Sequence, residues 1–261
     1  MSRPTALVTG ASSGIGRELA VLLARDRYDL VLVVRNEDRL RELADTLGRE
    51  LEVSSIVLRA DLADSSGPER VLRELGTRGL EIDVLVNDAG FGVSGFFSET
   101  PLDEELAMIR VNVVAPMVLT KGILPGMLQR RRGRILNVAS TAAFQPGPLM
   151  AVYYATKAFL LSFSEALANE TAGSGVTVTA LCPGPVRTEF QKRAGVAETR
   201  LFHSPLRLDV KAVARAGYRG LMRGRRVVVP GLANKLLVQA ERVTPRRLVV
   251  AITRRIQETR K

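Results

Sequence analysis

Short runs of consecutive Val and Leu recur along this chain, each followed by a stretch with helical spacing. Residues 6–8, 30–34 and 84–86 are apolar at successive positions, not at alternate ones. A strand of that kind has no polar face, so it must be covered on both sides, as parallel strands are. Between the runs, apolar residues such as Leu19, Ala20, Leu22 and Leu23 fall on one helical face. Repeated strand–helix units confine the chain to a doubly wound α/β sheet. The spacing predicts strands at 6–9, 30–34, 53–59, 84–87, 134–138, 176–181 and 226–229. It predicts helices at 15–25, 37–47, 68–78, 102–128 and 152–172. At 261 residues one α/β domain accounts for the whole chain.

The first strand runs into Thr9-Gly10-Ala11-Ser12-Ser13-Gly14-Ile15-Gly16 and then a helix. Strand, glycine-rich turn and helix is the context a dinucleotide site requires. Glycines let the backbone approach a pyrophosphate, and the helix N-terminus offers it free N–H groups and a positive dipole. Gly10, Gly14 and Gly16 follow a G-x-x-x-G-x-G spacing. Arg35 ends the second strand, where an acid would bond the ribose hydroxyls of NAD(H) and a base accommodates a 2′-phosphate. A planar, permanently charged guanidinium suits phosphate. Arg35, with Asn36 and Arg39 beside it, favours NADP(H), with NAD(H) as the alternative.

Near the middle of the chain, Tyr153 and Lys157 are four residues apart and share a helical face. An adjacent ammonium is expected to lower the phenol pKa toward neutrality and ready it for proton exchange. Ser140, at the end of the strand at 134–138, supplies a second hydroxyl to the same carbonyl oxygen.

These motifs occur together with Asp61, Asn87-Asp88-Ala89-Gly90, Asn112 and Pro183-Gly184-Pro185-Val186-Arg187-Thr188. In that order and spacing, from Thr5 to about Thr188, the chain resembles the short-chain dehydrogenase/reductase family, in particular its bacterial NADP-dependent ketoreductases. The resemblance implies a Rossmann sheet of about seven parallel strands, in the order 3-2-1-4-5-6-7, with helices on both faces. It implies cofactor contacts from Gly10, Ser12, Ser13, Gly14, Ile15, Gly16, Arg35, Asn36, Asp61, Leu62, Asn87, Ala89, Gly90, Pro183, Gly184, Val186 and Thr188. Asp61 would meet the adenine, Thr188 the nicotinamide carboxamide, and Lys157 the nicotinamide ribose. By the same resemblance Ser140 and Tyr153 bind a substrate carbonyl and Tyr153 gives the proton. Lys157 then recharges it through Asn112 and water. A homodimer or homotetramer built on the helices at 102–128 and 152–172 is also implied. One residue departs: the family usually has Asn where this chain has Asp88. An acid there adds charge near the cofactor or hydrogen-bonds locally like the amide it replaces.

Cys182 and His203 are the only residues of their kinds. That excludes an internal disulfide, a histidine-based triad and a multi-histidine metal site, so no metal is expected. Cys182 ends a β-branched run and reads as a buried structural thiol. The loop at 199–208, with Phe202, His203 and Pro205, reads as a mobile substrate loop within a segment at 189–208. Phe91, Val93, Phe96, Phe97, Phe144, Leu149, Phe190 and Phe202 are expected to border the pocket, which favours a fatty-acyl or polycyclic ketone.

Charge divides the chain. Residues 1–186 carry 19 Lys and Arg against 22 Asp and Glu, while residues 187–261 carry 19 against 5. The basic extension at 209–261 attracts anions, so an anionic membrane or an acyl carrier is a candidate partner. Little aromatic interleaving and no recognition motif accompany the charge, which argues against nucleic acid. In residues 245–256, Leu248, Ile252 and Ile256 form an amphipathic stripe able to lie on a membrane, cover the pocket or meet a second subunit. No leader and no membrane-spanning run are expected, which places the chain in the cytoplasm, with peripheral membrane contact as the alternative. A dinucleotide-binding regulator without catalysis is the competing reading; the full Asn112, Ser140, Tyr153 and Lys157 set speaks against it.

Overall fold

The computed structural model describes residues 3–35, 38–186, 188–196 and 208–258. Seven parallel strands form one sheet: β1 (Thr5–Thr9), β2 (Asp29–Val34), β3 (Ser55–Arg59), β4 (Val84–Asn87), β5 (Gly133–Val138), β6 (Val176–Leu181) and β7 (Val227–Val228). Their order is β3-β2-β1-β4-β5-β6-β7, as expected. Ten α-helices are described: α1 (Gly14–Arg25), α2 (Asp38–Leu51), α3 (Gly67–Thr77), α4 (Leu102–Ile109), α5 (Ala115–Gln129), α6 (Ala151–Glu170), α7 (Phe190–Arg193), α8 (Val210–Met222), α9 (Leu232–Val243) and α10 (Arg246–Gln257).

Consecutive apolar strand residues divide between two cores because successive side chains point to opposite faces. Ala6, Val8, Leu30, Leu32, Val84 and Val86 pack with Leu19 and Leu23 of α1 and with Val213 and Leu221 of α8. Leu7, Val31, Val33, Leu85 and Ile135 pack on the other face with Val71 of α3 and with Leu119 and Met127 of α5. The parallel register levels the strand ends: Thr9 lies opposite both Val33 and Asn87, and Asn87 lies opposite Asn137. The strand order reverses between β1 and β4, and a ligand crevice opens outside such a switch point.

The expected helix at 102–128 is present but interrupted. A π-helical turn, Arg110–Val114, sits between α4 and α5, and such turns are frequent at functional sites. The continuous rod, Leu102–Gln129, is 28 residues long with hydropathy 1.5 in its most apolar window, so the expectation that no run could span a bilayer does not hold. In the fold, Met108, Leu119 and Met127 of this rod are fully buried, and its apolarity serves the core.

Leu7 is fully buried at the centre of the sheet. Leu7→Ala is expected to lower stability by about 2–5 kcal/mol, the range for a core leucine truncated to alanine, read as a shift in the urea midpoint.

Candidate active site

The C-terminal edge of the sheet opens into a cavity of about 1350 Å³. Its floor is set by one close approach. Gly10 has φ +74°, and a Cβ there would stand 2.7 Å from the Ala89 nitrogen and 2.9 Å from Asp88 Oδ2. Glycine alone meets both demands, since it has no Cβ and tolerates positive φ. Thr9 Oγ1 accepts the N–H groups of Asp88 and Ala89, each at 3.1 Å, and so ties β4 to the turn. Ser13 precedes α1 without making a side-chain cap bond, and no acid lies in the helix's first turn. No side chain of the helix itself caps that positive end, whose Gly16 N–H is instead taken by the Asp88 carboxyl.

Asp88 reaches under the turn. A Cβ on Gly16 would come 2.4 Å from Asp88 Oδ2, and the Gly16 N–H donates to the carboxyl. Burial pushes that carboxyl up to about 7, against the opposing pull of Lys157 and of the Gly16 N–H. Lys157 is itself buried, and burial pushes its ammonium down to about 8, with Asp88 and Cys182 holding it up in part. The acid thus does both things its position allows: it hydrogen-bonds locally, and it places a titrating charge below the turn.

Tyr153 and Lys157 stand one turn apart on α6, with Nζ 5.9 Å from the phenol ring centroid. Lys157 Nζ donates to the Val138 carbonyl at 2.8 Å. Ser140 caps the short 3-10 helix Thr141–Phe144, accepting the Ala142 N–H at 3.1 Å. It also hydrogen-bonds the Tyr153 phenol. The expected lowering of the phenol pKa does not appear. Burial raises it, the Ser140 bond offsets this in part, and Tyr154 adds to the rise. Creating a phenolate in a buried site costs more than an ammonium at that distance returns.

Asn112 lies in the π turn. Its amide donates to the Phe91 carbonyl at 2.9 Å and to Thr156 Oγ1 at 3.1 Å, and its oxygen accepts the Phe91 N–H at 3.1 Å. Both amide protons are committed, leaving one lone pair on Oδ1. Oδ1 and Lys157 Nζ flank Gly90, where a Cβ would come within 3.1 and 3.4 Å of them.

Gly10, Ser12, Ser13, Gly14, Ile15, Arg35, Asp61, Leu62, Ala89, Gly90, Ser140, Tyr153, Lys157, Pro183, Gly184, Val186 and Thr188 all border the one cavity. Three expected site residues do not: Asn112 is fully buried behind Gly90, and two expected cofactor contacts also lie elsewhere. Gly16 packs against Asp88 and the Gly10 carbonyl. Asn87 turns inward, donating to Asn137 Oδ1 at 2.8 Å and to Thr120 Oγ1 at 3.4 Å. Asn36, Arg187 and the loop through residue 207 fall outside the described residues.

The aromatic forecast holds for Phe91 and Phe190, which line the cavity. Val93 and Leu149 do not line it, Phe144 packs beside Leu161 and Cys182, and Phe96 and Phe97 are exposed. Phe202 is outside the described residues. Cys182 is fully buried, and burial pushes its thiol up to about 12, so it is an inert structural thiol. Motif reading missed how much of the wall α9 and α10 supply, including Leu237, Glu241, Val249, Thr253 and Gln257. The amphipathic stripe was the available signal. The most buried stripe is Val249, Thr253 and Gln257, one residue along from the one expected; of the expected stripe Ile252 and Ile256 also border the cavity, while Leu248 is about half exposed.

A family model for short chain dehydrogenases matches residues 4–199. The chain belongs to the short-chain dehydrogenase family. It is similar to a short-chain dehydrogenase from Sphingobium yanoikuyae in complex with NADPH, at 35% identity over 92% of this chain and 93% of that one, with a TM-score of 0.82. It is also similar to the bulky-bulky ketone specific alcohol dehydrogenase from Comamonas testosteroni, at 32% identity over 93% of each chain, with a TM-score of 0.79. Among curated proteins, a very-long-chain 3-oxoacyl-CoA reductase of Laccaria bicolor is 40% identical over 66% of this chain and 52% of its own length. The chain spans between 52% and 60% of the length of that relative and two others like it in similarity.

Within this short-chain dehydrogenase the buried acid has a pH signature. Folded Asp88 holds its proton more tightly than an unfolded aspartate, with a pKa raised from 3.8 to about 7. Stability therefore falls as pH rises through that window. Glu241, raised from 4.5 to about 7 by burial, adds its own share. Asp88→Asn is expected to remove the Asp88 share, flattening the thermal midpoint between about pH 4 and 7. An unchanged slope would show that Asp88 is not buried as described.

Proposed function

We propose that this chain reduces a carbonyl to an alcohol with NADPH, on a bulky, largely apolar ketone. One observation carries the reading: Ser140, Tyr153 and Lys157 border the same cavity as the glycine turn. A dinucleotide fits that turn for reasons internal to the chain. Gly10, Ser12, Ser13 and Gly14 of the turn border the cavity, Ser13 makes no cap bond that would occupy the N-terminus of α1, and Arg35 borders the cavity at the end of β2. Gly10, Ser12, Gly14 and the α1 N-terminus would hold the pyrophosphate, Arg35 a 2′-phosphate, and Asp61 the adenine end. The bound nicotinamide supplies hydride.

The chain's own residues then position and protonate. Ser140 and Tyr153 hydrogen-bond the carbonyl oxygen and polarise it. A phenol kept protonated by burial is a proton donor at neutral pH, which suits reduction. Lys157, held by the Val138 carbonyl, stabilises the phenolate left behind. The spare Oδ1 lone pair of Asn112 faces the same Gly90 edge as Lys157, which supports a relay between them. Residues 1–188 serve cofactor and catalysis, 189–208 the substrate, and 209–261 form a basic C-terminal extension whose α9 and α10 line the cavity, all as one oxidoreductase unit. The half-exposed Leu106, Met117 and Phe159 on α4, α5 and α6 support pairing of two chains through those helices. The apolar walls suit the ketone classes named for the relatives, bulky ketones and long-chain oxoacyl groups among them.

Tyr153→Phe is expected to cut NADPH oxidation across a panel of bulky ketones by about 10²–10⁴-fold while leaving NADPH binding intact. Full activity in that variant would remove Tyr153 as the proton donor, whereas no turnover of any ketone by the wild type despite tight NADPH binding favours the non-catalytic regulator. Arg35→Asp is expected to weaken NADPH binding by roughly tenfold or more, the scale of one charged hydrogen bond, and to spare NADH. Titration of cofactor fluorescence reads both; equal losses for the two cofactors would place the phosphate elsewhere.

A further inference from the structure

The glycine turn carries an acid that the proposed reduction does not use. Asp88 Oδ2 lies 2.9 Å from where a Gly10 Cβ would sit and 2.4 Å from where a Gly16 Cβ would sit. Its carboxyl accepts the Gly16 N–H, one of the groups that a helix N-terminus offers to an anion. Asp88 is half-buried and borders the cavity together with Gly10, Ser12, Ser13 and Gly14 of that turn. A carboxyl group of the chain itself thus shares the place where a pyrophosphate would sit.

The charges around the cavity do little to offset it. Among the described residues, Arg35 and Lys157 are the cations that border the cavity, against Asp61, Asp88, Glu189 and Glu241. Arg35 follows β2 and Lys157 lies on α6, so neither belongs to the turn. Lys157 acts on Asp88 and favours its charged form, but burial of the carboxyl outweighs it. A pyrophosphate is anionic throughout the physiological range, and a second anion beside a carboxylate disfavours the charged carboxyl. The neutral acid avoids that repulsion, and its carbonyl oxygen still accepts the Gly16 N–H as an amide oxygen would.

We infer that Asp88 sets the affinity of the turn for a dinucleotide: its carboxyl must carry a proton for the pyrophosphate to seat, so cofactor binding takes up one proton from solvent. This rests on the cofactor reading above only in taking the ligand to be a dinucleotide. Burial holds the carboxyl at about 7, so both of its forms are present near neutrality, and phosphate charge would raise it further. A group that holds its proton more tightly in the complex contributes affinity that is complete below its free value and lost as pH rises toward its bound value. Binding therefore weakens above about pH 7, by up to about tenfold per pH unit. Lys157, lowered to about 8, titrates in the same window and is the competing site for the proton.

The test is calorimetric titration of the full chain with NADPH between about pH 7 and 8.5, above the titration of the 2′-phosphate near about 6. It is run in Hepes and in Tris, whose ionisation enthalpies differ, so the difference in heat counts protons. Wild type is expected to take up most of one proton near the top of that range and to lose roughly tenfold in affinity across it. Asp88→Asn is expected to bind with no proton uptake, to hold its affinity across the range, and to bind NADPH more tightly than wild type at the alkaline end. Asp88→Ser repeats the comparison if the amide variant fails to fold. Wild-type binding without net proton uptake overturns the inference alone. So does uptake that survives in the Asp88 variants, which would assign the proton to Lys157. If NADPH binds the wild type at no pH in the range, the cofactor reading falls together with the inference.

Discussion

The site depends on how closely the turn after β1 rests on the end of β4. With 2.7 Å between a notional Gly10 Cβ and the Ala89 nitrogen, no side chain fits, and the two backbones act as one floor. Thr9 adds two hydrogen bonds from beneath. That contact sits at the switch in strand order, so the N-terminus of α1 and the β4 end face the same space. Ser140 and Val138 come from the next strand over, and the Val138 carbonyl holds Lys157 in reach of them.

Burial outweighs pairing throughout this floor. Asp88 and Lys157 attract one another, yet each is displaced toward its neutral form because both lose water. The same balance keeps Tyr153 protonated. Opposite charges a few ångströms apart return less than desolvation costs when neither is fully solvated. The site therefore holds an acid and a base displaced toward their uncharged forms and a phenol that keeps its proton more firmly than in water. Asp88 places a titratable carboxyl against the glycine turn, at the Gly16 N–H.

The work is divided along the chain. Strand ends and the turns after them carry the groups that meet cofactor and carbonyl. Helices α9 and α10, beyond the last strand, cover the remaining side. Their outward faces bear Lys235, Arg246, Arg247 and Arg255, all exposed, so much of the basic excess of the C-terminal part is solvated surface around the cavity's cover.

The parallel sheet and its glycine turn were legible from local signals, whereas the strand order and most of the floor contacts were implied by the family resemblance. Continuous Val and Leu runs demand two covered faces, glycines mark where backbones touch, and a four-residue interval puts Tyr153 and Lys157 together. Other features depend on what surrounds a group, and no local pattern encodes that. Asn87 was read as floor but turned inward, since its register against Asn137 offered a buried amide partner. The phenol of Tyr153 went up rather than down because desolvation is a property of the packed site. The helix at 102–128 broke at a π turn whose Asn112 reaches Phe91 on a distant loop. Sequence by itself determined the alternation of covered strands and helices, the glycine turn and the Tyr153–Lys157 pairing, since periodicity and spacing act over a few residues, and its motifs carried the family resemblance that implied the strand order and the remaining site residues. Tertiary structure alone decided which of those groups keep their protons and which wall the ligand meets, because burial and the docking of α9 and α10 are set by contacts a hundred residues apart.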